Sequence, residues 1–252
     1  MKFQDRAKII LELLEQQHTV KVQELSERFG VSVVIIRKDL QRLEDEGKLI
    51  RTFGGAASCI VDSKERRRQS SMQAIADRAA QEICEGDCVL LNAGTTTLLV
   101  AKRLRECKNL KVITNAIYVA QEMNRYNADQ VFLLGGELGE GLFTHGSGAI
   151  EQLKQYKADK LILSASGLSC VSGVTTRHME AADLFRGMIE CSREVIVVAD
   201  DTKIGFESFY HVSDLKVVDK IVTNVYLENE PELRKMEEMG IQVYRCGQRN
   251  AK

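Results

Sequence analysis

No apolar run in this chain of 252 residues approaches the roughly 18–20 residues that a membrane-spanning helix needs, so no membrane partner is expected. The opening stretch, MKFQDRAKII, lacks the basic-then-apolar plan of a secretory signal, and a cytoplasmic protein is the expectation. Seven cysteines are scattered without a CxxC pair. Cys84 and Cys88, in CEGDC, are four apart with no histidine beside them, which is poor spacing for zinc. Reduced thiols are expected, with no metal and no other cofactor. His18, His145, His178 and His211 stand isolated, and there is no GxSxG elbow, no HExxH pair and no P-loop. A strong charge of either sign is lacking too. A formal net charge of −1 argues against a protein coated throughout by nucleic acid, but leaves room for a local basic patch.

What is present is a globular composition, 44% hydrophobic and 28% charged, with length enough for two domains. From residue 74 onward short apolar runs alternate with amphipathic stretches. CVLLNA (88–93), LKVITNA (110–116), QVFLLGG (130–136), KLILSASG (160–167), EVIVVAD (194–200), KIVTN (220–224) and IQVYRC (241–246) read as strands. Strands separated by helices predict an α/β domain, Rossmann-like, with a mainly parallel sheet covered on both faces. The first 57 residues differ, offering three helical stretches and then a Gly-rich turn. Between them ASCIVDSKERRRQSS reads as a charged linker. The expected division is therefore 1–57, a linker over 58–73, and 74–252.

Within the first part, VSVVIIRKDL puts β-branched residues where strand propensity would be invoked. On a helix over 32–47, however, Ile36, Leu40, Leu43 and Gly47 share one arc, with Ser32 placed to cap the first turn through its hydroxyl. The opposite face then carries Val34, Arg37, Lys38 and Gln41, flanked by Ile35 and Arg42. The preceding VQELSERFG is a short amphipathic helix ending at Gly30. Helix, tight turn, helix is the arrangement that sends a second helix into a major groove of double-stranded DNA. There Arg37 and Lys38 can meet guanine edges or phosphates, and Val34 or Ile35 a thymine methyl. KLIRTFGGA adds a candidate wing carrying Arg51. The candidate DNA-contacting set is thus Ser32, Val34, Ile35, Arg37, Lys38, Gln41, Arg42 and Arg51.

In the larger part a ligand is expected at the C-terminal ends of the strands. Those ends read Asn92-Ala93-Gly94-Thr95-Thr96-Thr97, Thr114-Asn115, Gly135-Gly136-Glu137, Gly173-Val174-Thr175-Thr176 and Asp200-Asp201-Thr202-Lys203. A strand, one glycine and three hydroxyl residues opening a helix offer N–H groups and hydroxyls to an anion. An ordinary strand-to-helix turn with threonine caps would look the same. Recurrence of Gly, Thr and Asn at several ends favours a polar, phosphate-bearing ligand. Asn92, Gly94, Thr95, Thr96, Thr97, Thr114, Asn115, Gly135, Gly136, Glu137, Thr175, Asp201 and Lys203 are the candidate contacts. Two other readings stay open: an isomerase- or deaminase-like enzyme using Glu137, Glu180 or Asp201, and a dinucleotide binder using HGSGAIEQL, a GxG that does not directly follow an expected strand.

The stretch VS-x-x-x-IRKDLQRLE-x-x-GKLIRTFGGA resembles the N-terminal signature of the DeoR family of bacterial transcriptional regulators, and the resemblance runs over essentially the whole chain. It implies a winged helix-turn-helix ahead of an effector domain resembling ribose-5-phosphate isomerase. It further implies a repressor of a carbohydrate catabolic operon, controlled by a phosphorylated sugar or related intermediate, and a homo-oligomer on a repeated operator. The family's Asp-x-Gly-Thr-Thr-Thr loop matches Asn92 to Thr97, its Thr-Asn pair Thr114 and Asn115, its Gly-Gly pair Gly135 and Gly136, and its Asp-Ser-Ser-Lys end Asp200 to Lys203. Ile35 stands for the usual threonine, Lys38 for an arginine and Phe53 for a histidine. Asn92 replaces an acid, Gly139 stands where an arginine is common and Phe185 where a lysine is frequent, which implies a less highly charged ligand.

Overall fold

The computed structural model describes residues 3–17, 19–52, 54–125, 130–224 and 227–247, with the side chains of 58–66 and 227 outside that description. Phe53 and His18 therefore lie outside the described residues. The chain forms two compact units that divide between Gln69 and Ser70.

The first unit contains α1 (Phe3–Gln17), β1 (Thr19–Lys21), α2 (Val22–Phe29), α3 (Val33–Asp45), β2 (Leu49–Thr52) and β3 (Gly55–Ser58). The strands form an antiparallel sheet in the order β1-β3-β2. Periodicity decides the helices here against propensity: Ile36, Leu40 and Leu43 of α3 are buried with Ile10 and Leu14 of α1 and Leu25 of α2. Two glycines end helices in left-handed conformations, Gly30 at φ 62 and Gly47 at φ 70. Gly47 N–H reaches Glu44 O at 2.8 Å and Lys48 N–H reaches Leu43 O at 2.9 Å, which satisfies the last carbonyls of α3. Gly47 is thus exposed and terminates the helix, whereas the arc drawn on the sequence placed it inside. Ser32 has the extended cap backbone, but its hydroxyl makes no capping bond; its carbonyl accepts Ile35 and Ile36 N–H at 2.9 and 3.2 Å. The expected wing is the β2–β3 hairpin. Sequence reading missed its third strand, β1, where Gly55 is needed because a Cβ would lie 2.0 Å from Val20 O.

The stretch expected to be a linker is helical, forming part of α4 (Cys59–Ala80), which crosses the division at Gln69. Its charged composition lacks Gly and Pro, so nothing in it opposes a helix. Met72, Ile75, Ala76 and Ala79 are buried at i, i+3, i+4 and i+7.

The second unit is built on a seven-stranded parallel sheet of β4 (Cys88–Leu91), β5 (Lys111–Thr114), β6 (Gln130–Leu133), β9 (Ala158–Ser164), β12 (Ser192–Ala199), β14 (Lys220–Asn224) and β15 (Gln242–Cys246). All seven runs expected as strands are these strands. Alternate residues enter different cores: Leu161, Leu163, Val195 and Val197 on one face, Ile162, Ile196 and Val198 on the other. One core is closed by α7 (Ser147–Leu153), α8 (Met179–Glu190) and α9 (Glu230–Glu238), the other by α4, α5 (Thr95–Arg103) and α6 (Ile117–Arg125).

Spatial order is β15-β14-β12-β9-β4-β5-β6. The chain starts in the middle, runs out to β6, then returns to the other side of β4 as β9. Small elements that sequence reading missed flank the sheet: the hairpin β7 (Glu137–Gly139) and β8 (Phe143–His145), and the sheet β10 (Gly167–Ser169), β11 (Gly173–Thr176) and β13 (Tyr210–Ser213). HGSGAIEQL follows β8 directly, against expectation, but opens only the seven-residue α7. No described helix is long and apolar enough to cross a membrane.

Candidate functional site

α3 has one face inside and one in water. Val34 is 61% exposed and Ile35 39%, beside exposed Arg37 and Lys38. Among the described residues neither cation has a hydrogen-bond or ion-pair partner. The other candidates on this surface are held. Gln41 Nε2 donates to Asp45 at 2.9 Å, and its Oε1 accepts from the Arg51 guanidinium. Arg51 N–H donates to Glu44 at 2.8 Å, so strand β2 of the wing is stitched to α3. Arg42 reaches Glu46 and lies 4.3 Å over the Phe3 ring. Ser32 is exposed at the helix start.

Sequence reading overlooked Asp39. It sits on the inward arc at i+3 from Ile36, buried, and receives Arg6 Nε at 2.6 Å and Nη2 at 3.1 Å. This bidentate pair ties α1 to the back of α3, and its hydrogen bond raises the Arg6 guanidinium above its ordinary value. The i, i+3, i+4, i+7 spacing of Ile36, Asp39, Leu40 and Leu43 was the available signal.

In the second unit, the reversal of strand order between β4 and β9 leaves a crevice at their C-terminal ends, the place where open parallel sheets bind ligands. A cavity of about 500 Å³ lies there. Gly94 and Thr95, expected as contacts, are on its wall. Gly94 must be glycine because a Cβ would meet the Ser164 side chain at 2.7 Å.

Asn92 is not on the wall. It is fully buried, its Nδ2 donating to Ser164 O at 2.9 Å while its Oδ1 accepts Ser164 N–H at 2.8 Å and the Thr97 hydroxyl at 3.1 Å. It locks β4 to β9, using a donor that an acid would lack. Asn115 does the same one loop further: its Oδ1 accepts Ala93 N–H at 3.0 Å and its Nδ2 donates to Thr144 O at 3.0 Å. Thr114 Oγ1 accepts Ala116 N–H at 3.1 Å, and Thr96 is buried off the wall. Gly135 N–H is taken by Gln152 at 2.7 Å, Gly136 packs against His145 O, and Glu137 is exposed away from the cavity.

Thr175 Oγ1 accepts Ser208 N–H at 2.9 Å; its neighbour Thr176 is the one on the wall. Asp201 belongs to a second hollow and bonds Asn224 Nδ2 at 2.6 Å, while half-buried Lys203 lines neither. Wall residues not foreseen include Tyr118, Phe143, Ser164, Ser166 and His178. Burial pushes the Tyr118 hydroxyl up, against a hydrogen bond from the Gly94 backbone. Phe185 is on the wall, where a cation would have changed the ligand's charge. At Gly139 an added Cβ would lie 3.0 Å from the His145 ring, so a side chain there requires that ring to give way.

The DeoR-like helix-turn-helix domain matches residues 6–61, and the DeoR C terminal sensor domain residues 67–225. The chain is 36% identical over 246 residues to transcriptional repressor AccR of Agrobacterium fabrum (strain C58 / ATCC 33970), over 92% of this chain and 95% of that protein. It is 30% identical over 233 residues to the glycerol-3-phosphate regulon repressor of Escherichia coli (strain K12), over 89% of this chain and 92% of that one. Among solved structures it is similar to ribose 5-phosphate isomerase A from Methanocaldococcus jannaschii, with 13% identity, 54% of each chain covered and a TM-score of 0.41. A reading helix backed by a wing, an α/β unit with a cavity at its strand reversal, and relatives named as repressors along nearly the full length converge: the chain belongs to the DeoR family of DNA-binding transcriptional regulators, not to the sugar-phosphate enzymes.

Proposed function

We propose that this protein represses a carbohydrate-use operon and releases its operator when a phosphorylated sugar, or a related intermediate, enters the β4–β9 cavity. The observation that carries the DNA half is the outward face of α3. Two β-branched side chains and two unpaired cations stand together on the first turns of a helix whose other face is fully buried. In a major groove Arg37 and Lys38 take guanine O6/N7 or phosphate oxygens, and Val34 and Ile35 take thymine methyls. Gln41 and Arg51 trade their mutual bond for DNA, while Ser32 and Arg42 flank the groove. One such unit reads few base pairs, so a symmetric oligomer on a repeated cytoplasmic operator follows.

The effector half is supported by the hydroxyls and helix N-terminus around the cavity, and by a relative whose name ties it to the glycerol-3-phosphate regulon. The ligand shifts the equilibrium only by preferring one conformation through its own contacts. The test is a mobility-shift assay on the gene's upstream DNA with a panel of phosphosugars. A salt-sensitive band that one phosphosugar dissolves is expected. No preference over scrambled DNA would remove the operator reading, and a band indifferent to every phosphosugar would remove the effector reading.

A further inference from the structure

We propose that Phe206, Phe209 and the hollow beside them form the contact between two copies of this chain, each copy's Phe209 entering the other's hollow. This rests on the oligomer reading above and deepens it by naming the surface. The segment Phe206-Glu207-Ser208-Phe209 leads into β13 and lies against the small sheet. Gly205 N–H donates to Leu168 O at 2.8 Å, Ser208 N–H to Thr175 Oγ1 at 2.9 Å, and Glu207 Oε1 accepts the Ser169 hydroxyl at 3.0 Å. With the segment held in this way, its rings are left in water: Phe206 is 44% exposed and Phe209 84%. A single apolar side chain on a surface is ordinary. Two phenylalanines whose Cα atoms lie at most about 11 Å apart make a patch. Tyr210 meets the Phe209 ring edge-on at 4.8 Å, so the more exposed ring is braced.

Phe206 also lines the second hollow, which has a volume of about 410 Å³ and is walled among the described residues by Ile204, Gly205 and two carboxylates, Asp201 and Glu228. That is room for one aromatic side chain. Carboxylates there suit the electropositive edge of an entering ring. Phe209, three residues along, is not on this wall. A protruding ring beside a hollow that it does not fill is self-complementary under a two-fold axis, the commonest symmetry of soluble oligomers. The two rings expose about 250 Å² per chain, hence about 500 Å² across the axis, roughly a third of what a stable dimer buries. That share suits the apolar centre of an interface, the remainder being its polar rim. Side chains, not added strands, make this contact: Arg186 already takes the His211 and Val212 carbonyls of β13, and Phe206 bridges β10 at Leu168.

The test is sedimentation of the full chain without DNA across micromolar concentrations. Phe209→Asp sets a carboxylate against Asp201 and Glu228, and should lower the assembly by one step, dimer to monomer or tetramer to dimer, with parental circular dichroism. Phe209→Tyr should keep the parent assembly. The occupant is identified by Phe209→p-benzoylphenylalanine in a mixture of isotope-labelled and unlabelled chains, where irradiation should join position 209 to residues 201–206 of a second copy. An oligomer unchanged by Phe209→Asp, or cross-links that map elsewhere or stay within one chain, overturns this surface and leaves the oligomer reading standing. A monomeric parent overturns both.

Discussion

Removing the Asp39 carboxylate, by Asp39→Ala, should destabilise the first unit and weaken operator binding although Asp39 is buried on the inward arc of α3. The side chains of Arg6 and Asp39 are 9% and 8% exposed, so the truncation leaves a guanidinium buried without its bidentate acceptor. Breaking a buried pair in this way costs about 3–5 kcal/mol, far more than the net worth of the intact pair. A unit of roughly 70 residues has a total stability of about 3–10 kcal/mol on the usual per-residue scale. The unfolded population of that unit should therefore rise by about two to four orders of magnitude. Intrinsic fluorescence will not see it: the chain has no tryptophan, and all its tyrosines lie at or beyond Tyr118.

Amide hydrogen exchange of α1 and α3 in the full chain is the suitable assay, because it reads the opening of this unit alone. Exchange should accelerate by those orders in Asp39→Ala while the sheet amides keep their protection. The double variant Arg6→Met with Asp39→Leu, which removes both charges and refills the space, should recover most of the protection. Exchange in Asp39→Ala within tenfold of the parent would refute the claim that this pair holds α3 in place.

Arg37→Ala should weaken specific operator binding by about 1–3 kcal/mol with unchanged folding, if Arg37 reads a base edge; an equal loss on scrambled DNA would make it a phosphate contact instead. Asn92→Ala strands the Ser164 N–H and carbonyl and the Thr97 hydroxyl, so it should cost about 2–4 kcal/mol in a tyrosine-monitored melt. A lost ligand response at parental stability would instead make Asn92 a ligand contact. Iodoacetamide at pH 8 should modify exposed Cys84 before Cys170 and Cys246, whose thiols burial pushes up to about 11, as peptide mapping can check. Rapid modification of Cys246 in the folded protein would contradict that packing.

The large features were legible because each has a period. Val, Ile and Leu runs marked the seven strands, and the i, i+4, i+7 apolar spacing marked α3 through a segment whose residues individually favour strands. β1, β7, β8, β10, β11 and β13 were missed because each holds at most one Val, Ile or Leu, where the equally short β4, β5 and β6 hold two or three.

The site was half legible for a different reason. A polar residue at a strand end can face a ligand or hold the neighbouring loop, and composition alone does not say which. Gly94 and Thr95 face the cavity, while Asn92, Thr97 and Asn115 spend their donors and acceptors inside. Burial demands such partners, but only coordinates name them.

The two threonines of β11 show how narrow the margin is. In a regular strand neighbours face opposite sides, so choosing between Thr175 and Thr176 means counting from a residue whose direction is known, such as buried Val174. The pairing of β11 with β13 slips between Val174 and Thr175, but the extra residue, Val212, is on β13, so β11 keeps its own alternation and Thr176 falls on the side of Val174. Thr175 spends its hydroxyl on Ser208 N–H while Thr176 is on the cavity wall, so Thr176, not Thr175, is the position to mutate first.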